Sequence, residues 1–291
     1  MGKTTLADFA GTFTAEAVDW DEQAEGRVLL GEHQLVLAKN SDEKLSIPLS
    51  SVFDINYDAR PELFDPLPGT PLTVAFEWSG QRSVAVVASE AETAKKFYTV
   101  LFKAVLNGTD VVIKHPARRG GRVTSMPFHR GELALANGGV RLATDGVTVT
   151  IEPAAVTSFD RELPDVDGEQ RPVFVVRHMQ EGTAVTTLAA TDSSRTLSLL
   201  GRYLRRHYDR LMSSLSGVSL SETQVEALVT VYSMDADMPM LASVLGATAK
   251  EITRLCHSLH QGGLLQPADD GPELTTRGQV VVNHYLDRVN E

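Results

Sequence analysis

The stretch Gly26-Arg27-Val28-Leu29-Leu30-Gly31-Glu32-His33-Gln34-Leu35-Val36-Leu37-Ala38 sets the reading of the whole chain. Val28 and Leu30, then Leu35 and Leu37, alternate with polar or smaller residues. Successive side chains on a strand point to opposite faces, so this period of two describes paired strands with one covered face. The pattern returns at Gly131-Glu132-Leu133-Ala134-Leu135-Ala136-Asn137-Gly138-Gly139-Val140-Arg141-Leu142-Ala143. Gly26, Val28, Leu30, Leu35, Leu37 and Ala38 align with Gly131, Leu133, Leu135, Val140, Leu142 and Ala143. Ile47 and Val52 then match Ile151 and Val156, with one residue dropped in the turn. A repeat of about a hundred residues means a duplicated domain rather than a solenoid of short units.

Outward from the first copy, Asn40-Ser41-Asp42-Glu43 supplies a turn, and residues 45–49 and 52–57 read as further strands. Asp65-Pro66-Leu67-Pro68-Gly69 is a loop, and residues 72–78 and 84–87 flank Ser79-Gly80-Gln81, a hairpin signature. The period then becomes helical. Ser89 with Glu92 offers a capping box, Phe97, Leu101 and Val105 form one apolar stripe, and Asn107-Gly108 ends it. The second copy repeats the hairpin at residues 173–176 and 184–188, and Thr191-Asp192-Ser193-Ser194 opens a helix carrying Leu197, Leu200, Tyr203 and Leu204. Antiparallel strands followed by one amphipathic helix is the plan of a pleckstrin-homology-like (PH-like) domain, a small β-barrel or sandwich whose open end the helix plugs.

From Leu220 the pattern is helical. Ser221 caps a helix with Val225, Leu228, Val229 and Tyr232; residues 238–246 form a short second one; Thr248 caps a third with Ile252, Leu255, Cys256 and Leu259 facing inward. Residues 264–266 and 273–275, around a turn at Asp269-Asp270-Gly271, make a two-stranded wing before a last helix with Val281, Val282, Tyr285 and Val289. That order is a winged helix-turn-helix. The expected fold is therefore α+β: PH-like domains at 1–108 and 109–216, each closed by a C-terminal helix, then a winged-helix domain at 217–291.

Acidic residues exceed basic ones by 38 to 27, giving a net charge of −11, and Arg outnumbers Lys roughly two to one. Such a balance argues against bulk nucleic-acid affinity. The third helix offers Lys250, Glu251, Arg254, His257 and His260 to a duplex, but the wing carries Asp269 and Asp270, which repel phosphate. No apolar run approaches the ~20 residues of a membrane span, and the segment from Met1 to Leu6 lacks a signal-peptide core, so a cytoplasmic protein without membrane insertion is expected.

No catalytic, cofactor or metal constellation emerges. Cys256 is the single cysteine, on an apolar helical face where a core thiol is expected. Gly2-Lys3-Thr4-Thr5 lacks the upstream glycine and strand of a phosphate-binding loop. His257 and His260 are three apart on a helix without a third metal ligand. Asp165, Asp167 and Glu169 sit in a loop too short for a calcium hand.

Lys114-His115-Pro116-Ala117-Arg118-Arg119-Gly120-Gly121-Arg122, between the two copies, is the densest positive run in the chain. Such blocks are commonly solvated linkers; the competing reading is a docking surface where two modules meet. Arg202, Arg205, Arg206 and Arg210 occupy the polar face of the second closing helix, where a solvated face is the default. The docking reading takes Lys114, Arg118, Arg119 and Arg122, helped by Arg202, Arg205 and Arg206, as a surface for an acidic partner.

Residues Lys114 to Val123, after Leu106-Asn107-Gly108-Thr109, resemble the archaeal taxis protein CheF family. Residues 26–30, 35–38 and 47–50 resemble the family's first module, and Leu197-Ser198-Leu199-Leu200-Gly201-Arg202-Tyr203-Leu204-Arg205-Arg206 the close of its second. The resemblance implies a haloarchaeal-type adaptor that joins the phosphorylated response regulator CheY, with CheC- and CheD-type proteins, to the switch proteins of the archaellum motor. An adaptor of this kind would work at the motor base. The alternative is a winged-helix transcriptional regulator with PH-like sensor domains.

Overall fold

The computed structural model describes residues 4–18, 20, 23–61, 64, 66–136, 139–163, 165–166, 168–180, 183–215, 220–234, 236–268 and 271–289. They form antiparallel sheets and six helices, an α+β architecture. The chain divides into two compact units. The first comprises Met1–Asp110, Glu132–Leu135 and Thr191–Tyr203; the second holds the remainder.

Seven strands build the first unit: β1 (Thr5–Ala15), β2 (Ala24–Gly31), β3 (Gln34–Ala38), β4 (Lys44–Pro48), β5 (Val52–Tyr57), β6 (Thr70–Trp78) and β7 (Gln81–Ser89). Their order in the sheet is β4-β3-β2-β1-β7-β6-β5. The alternation read at 26–38 is the observed pairing: Val28 faces Leu37 and Leu30 faces Leu35, all fully buried. Gly26 lets β2 lie against β3, since a Cβ there would fall inside the Ala38 carbonyl oxygen. The β6–β7 turn has Ser79 and Gly80 at φ 51° and 79°, the two positive values that a tight two-residue hairpin requires.

Helix α1 (Ala91–Leu106) covers this sheet with Phe97, Tyr98, Leu101, Phe102 and Leu106. The expected Ser89 capping box is not made: Glu90 is the N-cap and no side chain bonds the first turn. The helix ends as read, with Gly108 at φ 76°. The chain leaving it is tied to residues 132–135, where Gly108 N donates to Leu133 O at 3.1 Å and Leu135 N to Asn107 Oδ1 at 2.8 Å.

The second sheet repeats the plan. The strands here are β8 (Thr109–Arg119), β9 (Arg122–Val123), β10 (His129–Ala136), β11 (Gly139–Thr144), β12 (Thr148–Ile151), β13 (Val156–Glu162), β14 (Asp165–Val166), β15 (Glu169–Gln170), β16 (Val173–Gln180) and β17 (Thr183–Ala190). The main sheet runs β12-β11-β10-β8-β17-β16-β13, the first order strand for strand, with β9 added as a hairpin on β8. Gly131 repeats Gly26, its missing Cβ leaving room for the Ala143 carbonyl. Asp165 and Glu169 fall on the small β14–β15 ladder and Glu169 pairs with Arg171 at 2.8 Å; Asp167 lies outside the described residues.

Neither sheet closes into the expected barrel; both stay open at their edge strands. In each, a single 3-10 turn carries the chain between the two edges, Leu49–Ser51 in the first and Pro153–Ala155 in the second. Backbone groups of these corners find partners outside the ladders. Leu49 N donates to His33 O, and the carbonyls of Leu49 and Val52 accept from Arg195 Nη1 at 3.0 and 2.6 Å. The second corner accepts from Asn283 Nδ2, at 2.8 Å from Ala154 O.

Arg195 stands on α2 (Ser194–Leu215), and Asn283 on the last helix of the chain. Between them come α3 (Glu222–Met234), α4 (Met238–Leu245), α5 (Ala249–Gln261), the hairpin β18 (Leu265–Ala268) with β19 (Gly271–Leu274), and α6 (Thr276–Val289). Capping boxes at Ser221 and Thr248 start α3 and α5, Asp237 caps α4, and Gly246 at φ 61° stops it. Leu228, Val231, Leu241, Ile252, Leu259, Leu264 and Val282 close the core among them.

Candidate docking site

The positive run is structured. Residues 109–119 form β8 in the middle of a sheet, so the linker reading of Lys114 to Arg122 is set aside. Gly120 and Gly121, at φ 53° and 75°, turn the chain into β9, and Arg119 comes directly opposite Arg122. Like charges across a hairpin repel. Arg118, Arg119 and Arg122 are all exposed, and Val123, opposite Arg118, is 72% exposed. Among the described residues no carboxylate lies within ion-pair distance of Lys114, Arg118, Arg119 or Arg122.

Lys114 and Arg118 also form one wall of an open groove of about 440 Å³ across β8, β17, β16 and β13. Pairing registers place Lys114, Leu188, Val175 and Asp160 in one row across the strands, and Arg118, Thr186, Arg177 and Ser158 in the next. Three strand spacings separate the ends of a row, so Lys114 and Asp160 stand roughly 14 Å apart. The groove is therefore bipolar, cationic at β8 and anionic at β13, where Asp160 and Glu162 line it, with Val175 and Leu188 between. Arg205 of α2 stacks its guanidinium 5.2 Å from the Phe159 ring centroid, and the Lys114 ammonium is 5.7 Å from that of Phe128.

The other arginines are placed differently. Arg202, counted with the first unit, makes a two-pronged ion pair with Asp54, Nε to Oδ1 and Nη2 to Oδ2 both at 2.9 Å. Arg206 is half-buried, and with Arg210 it keeps His207 uncharged: burial first, then the two guanidinium charges, lower that imidazole to about 4.

On the opposite face of the same strands lies a buried polar cluster. His115 Nδ1 and His178 Nε2 share the Thr187 hydroxyl at 2.7 and 2.8 Å, and the two rings stack with centroids 5.8 Å apart. One ring donates to the hydroxyl oxygen and the other accepts its proton, so the cluster is satisfied without charge. Burial lowers the His178 pKa to about 4, aided by repulsion from His115; the His115 pKa is lowered too, chiefly by burial. The Thr187 hydroxyl itself is fully buried.

His257 and His260 have partners of their own, Gln261 Nε2 at 3.0 Å and Leu265 O at 3.1 Å. Among the described residues no group of three His, Cys, Asp or Glu side chains is placed to hold a metal ion, and no helix is long and apolar enough to cross a membrane. Cys256, expected in the core, is half-buried at its margin. The acidic turn Asp269-Asp270 and the Gly2-Lys3 segment lie outside the described residues.

Sequence reasoning missed the groove's acidic wall, Asp160 and Glu162, and the row partner Arg177. Alternation places 158, 160 and 162 on one face, but which strand lies beside them depends on register.

The family described as Archaeal Chemotaxis signal transduction system protein F matches residues 5–210. Taxis protein CheF2 of Halobacterium salinarum is 38% identical over 290 residues, covering 100% of both chains. Taxis protein CheF1 of the same organism is 29% identical over 290 residues, covering 97% of each. The chain belongs to the archaeal CheF family of chemotaxis signal transduction proteins.

Proposed function

We propose that this chemotaxis protein is a non-enzymatic adaptor that links a phosphorylated CheY-type response regulator, together with CheC- and CheD-type proteins, to the switch proteins of the archaellum motor. It would work in the cytoplasm at the motor base. The observation that carries the reading is the β8–β9 hairpin, an uncompensated cluster of guanidinium groups on a chain of net charge −11. Forcing Arg119 against Arg122 is unfavourable for the isolated chain, and an acidic partner relieves it. The shared strand order and the helix after each sheet support two PH-like platforms, at 1–108 and 109–216. Three helices, a hairpin and a helix support a winged-helix domain at 217–291. Lys114, Arg118, Arg119 and Arg122 form the centre of the docking surface, with Arg205 in a supporting part. Arg202 and Arg206 take a supporting part.

The test is capture of the regulator and the switch proteins on the immobilised chain, with and without beryllofluoride on the regulator, for wild type and R118E/R119E. Reversal should weaken capture by about tenfold or more and flatten its salt dependence. Equal capture of every partner by both forms would remove the hairpin from the function.

A further inference from the structure

A second surface lies on α5, away from the β8–β9 hairpin in the chain and independent of it in chemistry. Lys250, Arg254, His257 and Gln261 recur at i, i+4, i+7 and i+11, one stripe of the helix, and all four are exposed. Glu251, the helix's single carboxylate, is turned back onto the cap. Its Oε2 accepts from Thr248 N at 2.8 Å and Thr248 Oγ1 at 2.7 Å, bonds that hold its pKa below the usual carboxylate value. From Ile252 to Gln261 the helix carries no acid.

Beside this stripe opens a cleft of about 360 Å³ between α4, α5 and the β18–β19 hairpin. Met238, Cys256, Leu265, Ala268, Pro267 and Pro272 give it apolar walls. Pro267 faces Pro272 across the hairpin, and the fixed rings of two prolines make a stiff wall. The hairpin is seated firmly: a Cβ on Gly271, at φ 140°, would meet Asp237 Cα at 3.2 Å, and Asp237 is the cap of α4. Walls tied to a helix cap and built of prolines make the cleft preformed, so filling it costs little ordering.

We infer that the α5 cleft docks an acidic, amphipathic protein segment. One apolar side chain of the segment seats between Met238, Leu265 and the two prolines, and its carboxylates meet Lys250, Arg254 and His257. Lys250 and Arg254 select the sign of the segment at the α5 side, Asp269 and Asp270, next after Ala268 in sequence, repel carboxylates carried past the cleft, and the cleft demands the apolar face. Duplex DNA would use the stripe and leave the cleft empty, which separates the two occupants experimentally.

Cys256 is the chain's single cysteine and lines the cleft, so thiol alkylation reads occupancy at one place. The probe is a fluorescein-labelled helical peptide with Leu at i, i+3, i+4 and i+7 and Glu elsewhere, added to the full chain. Binding is followed by anisotropy and Cys256 by its maleimide rate. The peptide should bind and slow alkylation by about fivefold or more, while versions with Lys for Glu or Ser for Leu should do neither. K250E/R254E should weaken binding by about tenfold or more, and R118E/R119E should leave it unchanged, which keeps this site separable from the hairpin. A268F fills the cleft; if it does not fold, the exposed charge variants carry the test. The inference fails if the peptide does not bind, binds without protecting Cys256, or ignores K250E/R254E. Protection of Cys256 by duplex DNA would equally overturn it.

Discussion

Replacing Gly26 by alanine tests the duplicated sheet at its tightest point. A Cβ there overlaps the Ala38 carbonyl oxygen and lies 3.0 Å from Ala38 C and Lys39 Cα, all backbone that cannot rotate away. Apolar atoms settle at ~3.5–4 Å, so β3 must retreat by on the order of 1 Å. Overpacking of this kind costs ~1–3 kcal/mol, and a weakened ladder bond adds ~1 kcal/mol. The lower entropy of an unfolded alanine returns only ~0.4–1 kcal/mol. The net expectation is a loss of about 2 kcal/mol, or about 1 M in urea midpoint at a slope of ~2 kcal/mol/M. Gly31 is the control: its added Cβ meets nothing nearer than 3.7 Å, so G31A should be neutral or slightly stabilising. Both tryptophans, Trp20 and Trp78, belong to the first unit, so fluorescence reports G26A, while far-UV circular dichroism follows the matching G131A in the second. If G26A unfolds within ~0.5 kcal/mol of wild type, or no differently from G31A, the close approach of the strands is not what Gly26 provides.

Three further outcomes follow from the geometry. His178 is held near 4 in the fold against 6.5 when free, so below pH 6.5 the unfolded chain gains a proton that the folded chain refuses. Stability should fall as pH drops from about 6.5 towards 4, His178 contributing about 2 kcal/mol of the loss at pH 5 beside the like share of His207, and an equal drop in H178Q would refute the assignment. N283A removes the hydrogen bond that α6 donates to Ala154 O, and a buried carbonyl left without it costs ~1–3 kcal/mol; amide exchange should rise in residues 149–156 and in α6, and unchanged exchange would count against the contact. The Arg202–Asp54 pair is half-exposed despite its two-pronged geometry, so a double-mutant cycle should give no more than about 1 kcal/mol, shrinking with salt; a larger, salt-independent coupling would contradict this.

Local pattern carried much of the fold. The alternation at 26–38 and its return at 131–143 announced the strands and their duplication. Ser221, Thr248 and Gly246 marked helix ends correctly, because a cap depends on neighbours three or four residues away. Ser89 misled for a related reason: β7 continues through it, and the ladder takes the residue the cap would need. What escaped was long-range. Arg202 meets Asp54 across 148 residues, Asn283 meets Ala154 across 129, and Thr187 meets His115 across 72. Charge alone marked Arg202 without revealing its pairing with Asp54, while register alone reveals that Arg119 and Arg122 confront each other. The positive run was legible as a cluster and illegible as a hairpin, since Gly120-Gly121 announces a turn only once flanking strands are known.

The two 3-10 corners have a consequence for how such twins drift apart. Each is gripped through main-chain oxygens, which every amino acid possesses and no substitution can erase. An arginine holds the first and an asparagine the second, so the fastening tolerates unlike donors while the acceptor endures. Each repeat could thereby change its lid without forfeiting its latch, leaving outward surfaces at liberty to specialise.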